Sequence, residues 1–340
     1  MKHLIYLLAA LFLTACASSK QESLPKWVND PGSVYDENTF MVAVGSGSSL
    51  RAAQDNGYDN LARRFKVDIE SVTELNNRYY SERTNKGVDF SNTSDLNQTI
   101  QTSVNTTIQN AQMYKSFYYK PELTHYVIVG FERRETATLL RRQISDNVMS
   151  IESLFKRADE SSDPIKTLSM LYEARQLSVE NQALELQRNI ISGMNSPSLE
   201  RFNQDELASK IADAKKGAII FVSATSSDSE TFIPTLQEAF TNMGFQTSDN
   251  SAGANISATI KSSLKSVESK REDVEFVAWQ VVIEAMNIRS NELYTEFEKT
   301  SRDASQSKDM AMKIAEKYLR EAILNDFTKH FEKNVLSPSN

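Results

Sequence analysis

One residue in this sequence carries the chemistry of a strong nucleophile: Cys16, the only cysteine among 340 residues. A thiolate accepts alkyl and acyl groups more readily than any other side chain. Without a second cysteine the chain can build neither an intramolecular disulfide nor a multi-cysteine metal site. Histidine is nearly as scarce, with only His125 and His330 downstream of Cys16. A hydrolytic triad needs a histidine poised between an acid and a nucleophile, and neither histidine lies in such a motif. HExxH, CxxC and Asp-rich calcium loops are all missing from the sequence. The residues therefore imply no catalytic constellation, no metal and no cofactor, and the chain reads as non-enzymatic. An unrecognised hydrolase would need a cleft that joins a nucleophile, a base and a positioned third group.

The neighbours of Cys16 say what its thiol is for. Lys2 and His3 form a short basic start, and Leu4 to Leu13 is apolar throughout. That run is too short to span a bilayer, which takes about 20 residues. It has the layout of a secretory signal, so residues 1–15 are a leader excluded from the fold. Leu13, Thr14 and Ala15 before Cys16 resemble a bacterial lipobox, which would make Cys16 the acylated N-terminus. An ordinary signal peptide beside an unmodified cysteine is the plainer alternative. One acyl chain binds a membrane weakly, at about 0.8 kcal/mol per buried methylene, whereas two or three bind firmly. Ala17, where an Asp would favour the inner membrane, points to the outer membrane in enteric-type sorting. The expected location is the outer membrane, lipid-anchored and facing the periplasm.

Other candidates carry weaker signals. The net charge is −7, and removing Lys2 with the leader makes it one unit more negative. That balance argues against a nucleic-acid partner, which needs a basic surface. Gly45-Ser46-Gly47 between a strand and a helix resembles the opening of a dinucleotide fold. Leu50 holds the third glycine position, and a plain tight turn is the better reading. Glu132-Arg133-Arg134-Glu135, with Arg141 and Arg142, could contact a phosphate or a partner's acid. A solvated helix face laced with ion pairs is the bland reading. Of these residues, Arg133 and Arg134 are the candidate partner contacts. Trp27 is a third candidate contact, although a core role at the fold entry suits its neighbours Pro25 and Val28.

The elements that position these residues follow from periodicity. Residues 16–24 are a polar, lipidated tether. Thr39 to Val44 is a buried strand, and Gly45 to Ser49 the turn after it. Ser48 or Ser49 caps a helix running to about Lys66, with Leu50, Ala53, Leu61, Ala62 and Phe65 inward and Gly57 as a weak point. Residues 67–80 read as a strand and its continuation. Leu96, Ile100, Val104 and Ile108 recur every fourth residue and favour a helix. Tyr126 to Phe131 is a strand followed by a helix. Residues 146–200 form a helical connector, with Asp163 as N-cap before Pro164. Its helix pair resembles one tetratricopeptide-like unit, although a hairpin packed on its neighbours is the better reading. Beyond it, strands are expected at 218–224, 256–264, 274–288 and 293–298. A helix covers 230–243, and a long amphipathic one covers 305–335, with Ala311, Ile314, Ala315, Tyr318, Ala322 and Phe331 inward. The fold class is α+β: two α/β sandwich-type domains, 25–145 and 210–336, joined by the connector.

Taken together, the lipobox, Pro25-Lys26-Trp27-Val28, Val42-Ala43-Val44-Gly45-Ser46-Gly47, the helix RAAQDNGYDNLARRF and the Tyr126–Val129 strand resemble the LPP-twenty family of membrane-associated lipoproteins. The resemblance covers about residues 25–145. One departure is that aromatics at Phe117 to Tyr119 stand where a tryptophan often precedes the late strand. The resemblance implies an α/β fold, outer-membrane attachment and no known catalytic residues; some relatives belong to outer-membrane parts of flagellar assemblies. The expected function is a lipid-anchored envelope scaffold or assembly factor with a protein partner in the envelope. The alternative is a regulator of a periplasmic enzyme such as a peptidoglycan synthase.

Overall fold

The computed structural model describes residues 23–83, 99, 102, 104, 106–108, 110–194, 197–199, 204–268 and 274–336. Helices and two sheets make it an α+β chain. It divides into two units, one of residues up to 143 with 182–197, the other of 144–181 with 198 onward. The expected helix pair is present as α2 (Arg133–Glu160) and α3 (Pro164–Ser192). Within the 146–200 stretch, residues up to 181 group with the second unit and 182–197 with the first.

Unit one holds an antiparallel sheet in the order β1-β3-β2, from β1 (Phe40–Gly47), β2 (Gln112–Tyr119) and β3 (Thr124–Glu132). The glycines expected to form a turn instead continue β1 to its end. A Cβ on Gly45 would overlap the backbone of Ala53 and Gly57, and one on Gly47 would lie 2.7 Å from the amide nitrogen of Ala53. Those residues belong to α1 (Leu50–Arg83), which packs on β1 and β3. The missing side chains let a helix lie directly on a strand, and a phosphate has no room there. Gly57 is likewise a contact point, with its backbone against Val127 and Val129. Ser49 caps α1 by accepting from the amide of Ala52 at 3.1 Å. Ala53, Leu61 and Phe65 are fully buried, whereas Leu50 is exposed.

The strand expected at 67–80 is helix, because α1 runs on to Arg83. Residues 67–83 contain no Pro or Gly, and an established helix extends far more easily than a new element nucleates. Val104 and Ile108 lie in helix and are buried; Leu96 and Ile100 lie outside the described residues. β2 was not expected. It is an edge strand with a bulge between Met113 and Lys115, which breaks the alternation that marks a half-buried strand.

Unit two is built on a five-stranded sheet in the order β5-β4-β6-β7-β8. Its strands are β4 (Ile219–Ala224), β5 (Gln246–Ser248), β6 (Ile256–Val267), β7 (Glu275–Asn287) and β8 (Leu293–Ser305). β4 runs parallel to β5 and β6, and the β6–β7–β8 meander is antiparallel. Strict alternation sends Val277, Trp279, Val281, Ile283 and Ala285 inward from β7. Three-residue β5 and helix α4 (Gln204–Gly217) went unread in the sequence. The expected 230–243 helix is α5 (Ile233–Asn242).

The last helix begins as α6 (Lys308–Glu321), capped by Ser307, whose hydroxyl accepts from the amide of Met310. It continues with wider, π-type turns at Ala322–Phe327 and Glu332–Leu336. Ala311, Ala315, Leu319, Ile323, Phe327, Phe331 and Val335 are buried, one every fourth residue. At 3.6 residues per turn such a row would rotate off the sheet. The wider turns hold it in place. Tyr318, expected inward, is exposed and Leu319 takes the inward place. Phe240, Phe245, Phe327 and Phe331 meet edge to face at 5.4–6.1 Å between ring centres, an arrangement that favours aromatic pairs.

Candidate partner-contact surface

Cys16 and its lipobox residues Leu13, Thr14 and Ala15 lie outside the described residues. The other named candidates lie in unit one. Trp27 sits in the short helix Lys26–Asn29 and is buried, with that helix packed on β3. Its ring belongs to the core.

Arg133 and Arg134 are neighbours with opposite fates. Arg133 opens α2 and turns inward. Its Nε donates to the carbonyl of Glu37 at 2.7 Å, and Nη1 donates to the carbonyls of Ile191 at 3.0 Å and Ile190 at 3.4 Å. Those two carbonyls belong to the last turn of α3, where four acceptors lack helical partners. A guanidinium there satisfies them and suits the negative end of the helix dipole. Arg134 instead points outward. Its side chain is 94% exposed and pairs with the carboxylate of Glu132 at 3.9 Å.

Arg134 stands at the rim of an open depression of about 450 Å³, lined also by Glu132, Glu135, Thr138 and Leu139. Beside it lies an aromatic cluster missed in the sequence. Tyr35, Phe40 and Tyr114 pack with ring centres 4.9–5.8 Å apart, Phe40 lying edge to face against both tyrosines. Burial raises the phenol pKa of Tyr114, and Tyr35, Glu132 and Glu135 add to the rise through their negative charge. The surface therefore combines two carboxylates, the exposed guanidinium of Arg134 and the exposed side chain of Leu139. It can pair with charged and polar groups of a partner, and nothing in it places a nucleophile beside a base. These aromatics come from a loop and two strands, so only the folded chain brings them together.

The histidines are held in side-chain contacts. His125 lies against the ring of Tyr118 at 4.6 Å. In unit two, His330 Nε2 is 2.7 Å from Thr295 Oγ1, and its Nδ1 is 3.1 Å from Asn334. Asp163, expected as the N-cap of α3, accepts from the amides of Ile165 and Lys166 at 2.9 and 3.1 Å. It also accepts from Tyr294 at 2.8 Å and from Asn287 at 3.2 Å. Among the described residues no three His, Cys, Asp or Glu side chains are grouped to hold a metal ion, and no helix is long and apolar enough to cross a membrane.

These features define an α+β protein whose first unit is a three-stranded sheet backed by one long helix. Residues 25–132 match the family model described as LPP20 lipoprotein, which spans β1, α1, β2 and β3. No curated protein matches the chain. Among solved structures it is similar to the secreted protein HP1454 from Helicobacter pylori, at 13% identity. That match covers 84% of this chain and 96% of the other, with a TM-score of 0.46. It is also similar to a minor lipoprotein from Acinetobacter baumannii, at 15% identity. There the match covers 35% of this chain and 91% of the other, with a TM-score of 0.25.

Proposed function

We propose that this chain is an outer-membrane lipoprotein, anchored through acyl groups on Cys16, that works as a non-enzymatic scaffold or assembly factor in the envelope. The observation that carries this reading is the lone cysteine at the end of a lipobox, followed by a domain that matches the LPP20 lipoprotein family. Confinement to a membrane plane raises the effective concentration of a protein against partners in the same layer. Unit one offers such partners the depression around Glu132, Arg134 and Glu135, and unit two offers a broad sheet.

Intact-mass spectrometry of the native product tests the anchor. The expected mass is that of residues 16–340 plus acyl chains. A Cys16→Ser variant is expected to leave the membrane fraction. An uncleaved leader, an unmodified sulfur, or a variant that stays with the membrane would overturn the reading. Crosslinking in intact cells tests the scaffold role, with a reproducible envelope partner expected, and its loss on Arg134→Glu would place the contact at this depression.

A further inference from the structure

The two edges of the unit-one sheet differ. On β1 three of the outward backbone groups are bonded by side chains of α1. Asn56, Asn60 and Arg64, four residues apart on α1, lie along that edge. Asn56 Oδ1 accepts from the amide of Ser46 at 3.3 Å, Asn60 Nδ2 donates to the carbonyl of Val44 at 2.9 Å, and Arg64 Nη1 donates to that of Val42 at 3.4 Å. This rail stands in the way of a further strand on β1.

These bonds also fix the phase of the whole sheet. Residues 42, 44 and 46 point their backbone groups outward, so their neighbours point theirs at β3. Backbone direction alternates along antiparallel strands. Gly130, Ile128 and Tyr126 of β3 therefore face β2, where their partners are Gln112, Lys115 and Phe117. Ser116 and Tyr118 must then turn their amides and carbonyls away from the sheet. No described side chain or strand bonds to them there. Ser116 and Tyr118 are exposed, and between Gln112 and Tyr119 the only charge is Lys115. Among the described residues no loop covers this strand, and it holds no proline; the protections it carries, the bulge at Met113–Lys115 and Lys115 itself, both lie before Ser116.

We propose that β2 pairs antiparallel with β2 of a second copy of this chain, about a two-fold axis through Phe117. The register follows from the residues. An axis at Phe117 sets Ser116 opposite Tyr118 of the other copy on both sides, so all outward groups of these residues are exchanged. It keeps the bulge at Met113–Lys115 away from the axis. Lys115 falls opposite the ring of Tyr119, where a cation is favoured, and Phe117 meets its own copy as an aromatic pair. An axis at Lys115 would oppose two like charges, which is unfavourable. The contact is isologous, closes at two copies, and joins two three-stranded sheets into one of six. It does not depend on acylation of Cys16.

The test uses the mature full chain in detergent. Sedimentation of the native chain is expected to show a concentration-dependent dimer. Ser116→Pro removes one outward amide and leaves the bonds to β3 in place, so it is expected to remain monomeric where the native chain is at least half dimeric. Phe117→Cys is expected to form a disulfide-linked dimer under mild oxidation, and Lys115→Cys is not. Fluorescence of Trp27 checks that each variant is folded. A native chain that is monomeric throughout would overturn the proposal. So would a Ser116→Pro chain as dimeric as the native, or Phe117→Cys crosslinking no better than Lys115→Cys.

Discussion

Gly45 of β1 and Gly57 of α1 meet backbone to backbone, so that a Cβ placed on Gly45 would lie 2.6 Å from the Cα of Gly57. The obstacle is main chain, which has no rotamer to change. Gly45→Ala must push α1 off the sheet and strip cover from Val127 and Val129. The expected loss is about 3 kcal/mol or more, at the upper end of overpacking effects. The chain has two tryptophans, Trp27 in unit one and Trp279 in unit two, both buried. In a Trp279→Phe background, the unfolding midpoint read from Trp27 is expected to drop. Gly253→Ala, where nothing lies within 4 Å, should leave the Trp279 midpoint unmoved in a Trp27→Phe background.

Asp163 ties the start of α3 to the β7–β8 hairpin through Tyr294 and Asn287. Asp163→Ala removes a helix cap, worth about 1 kcal/mol, and leaves the half-buried hydroxyl of Tyr294 without its acceptor, worth roughly another 1–3 kcal/mol. A drop of about 2–4 kcal/mol in unit two is expected from urea unfolding followed at Trp279.

The same contact gives unit two an alkaline dependence. Burial, then the hydrogen bond to Asp163, raises the Tyr294 phenol above its ordinary 10.0, while the bond from Asn287 opposes the rise. Since the folded-state pKa lies above the unfolded one, the contribution is complete below pH 10 and is lost as pH climbs through the folded value. Urea midpoints between pH 9 and 11.5 are expected to fall more steeply for the native chain than for Tyr294→Phe. Equal slopes would mean that the hydroxyl ionises as freely in the folded chain as in the unfolded one.

Arg133 and Arg134 separate stability from recognition. Arg133→Ala leaves the carbonyls of Glu37, Ile190 and Ile191 without their cationic donor. Hydrogen bonds to charged groups contribute about 1.5–3 kcal/mol, and a loss of that size is expected at the Trp27 transition. Arg134→Ala removes an exposed pair of the kind that contributes about 0–1 kcal/mol. The midpoint is expected to stay within about 0.5 kcal/mol, so any loss of crosslinked partner in that variant reflects contact.

Where one residue pattern carried the signal, the fold was legible. The alternation of β6, the Asp163-Pro164 helix start and the Ser49 cap all follow from local chemistry, whereas β7, apolar on both sides in the sequence, shows its alternation only in the fold. Gly45-Ser46-Gly47 misled because a glycine pair looks the same whether it bends a chain or admits a helix against a strand. Only the tertiary partner, α1, distinguishes them. The 67–80 stretch is rich in β-branched residues, and the missing stop signal was the stronger fact. The Tyr35, Phe40 and Tyr114 cluster left no trace because its members are far apart in sequence and share no period. The inward role of Arg133 was equally hidden, since its acceptors are the carbonyl of Glu37 and two carbonyls at the end of a helix, all more than 50 residues away.

The rail along β1 allows a separate test of how edges are managed. Asn56, Asn60 and Arg64 are partly or fully exposed, and each gives up side-chain freedom to bond an edge atom at 2.9–3.4 Å. Solvent could satisfy Val42, Val44 and Ser46 equally well, so little stability is at stake. What the rail prevents is a second strand. Replacing all three by Ala is expected to shift the Trp27 midpoint by about 1–2 kcal/mol at most, at roughly 0.5 kcal/mol for each solvent-replaceable bond. It is also expected to produce concentration-dependent association, because an unguarded edge templates pairing. Light scattering at rising concentration reads this directly. Adding Ser116→Pro keeps the β2 contact out of the comparison. If the triple variant scatters no more than its parent in that background, the three side chains do not guard the edge.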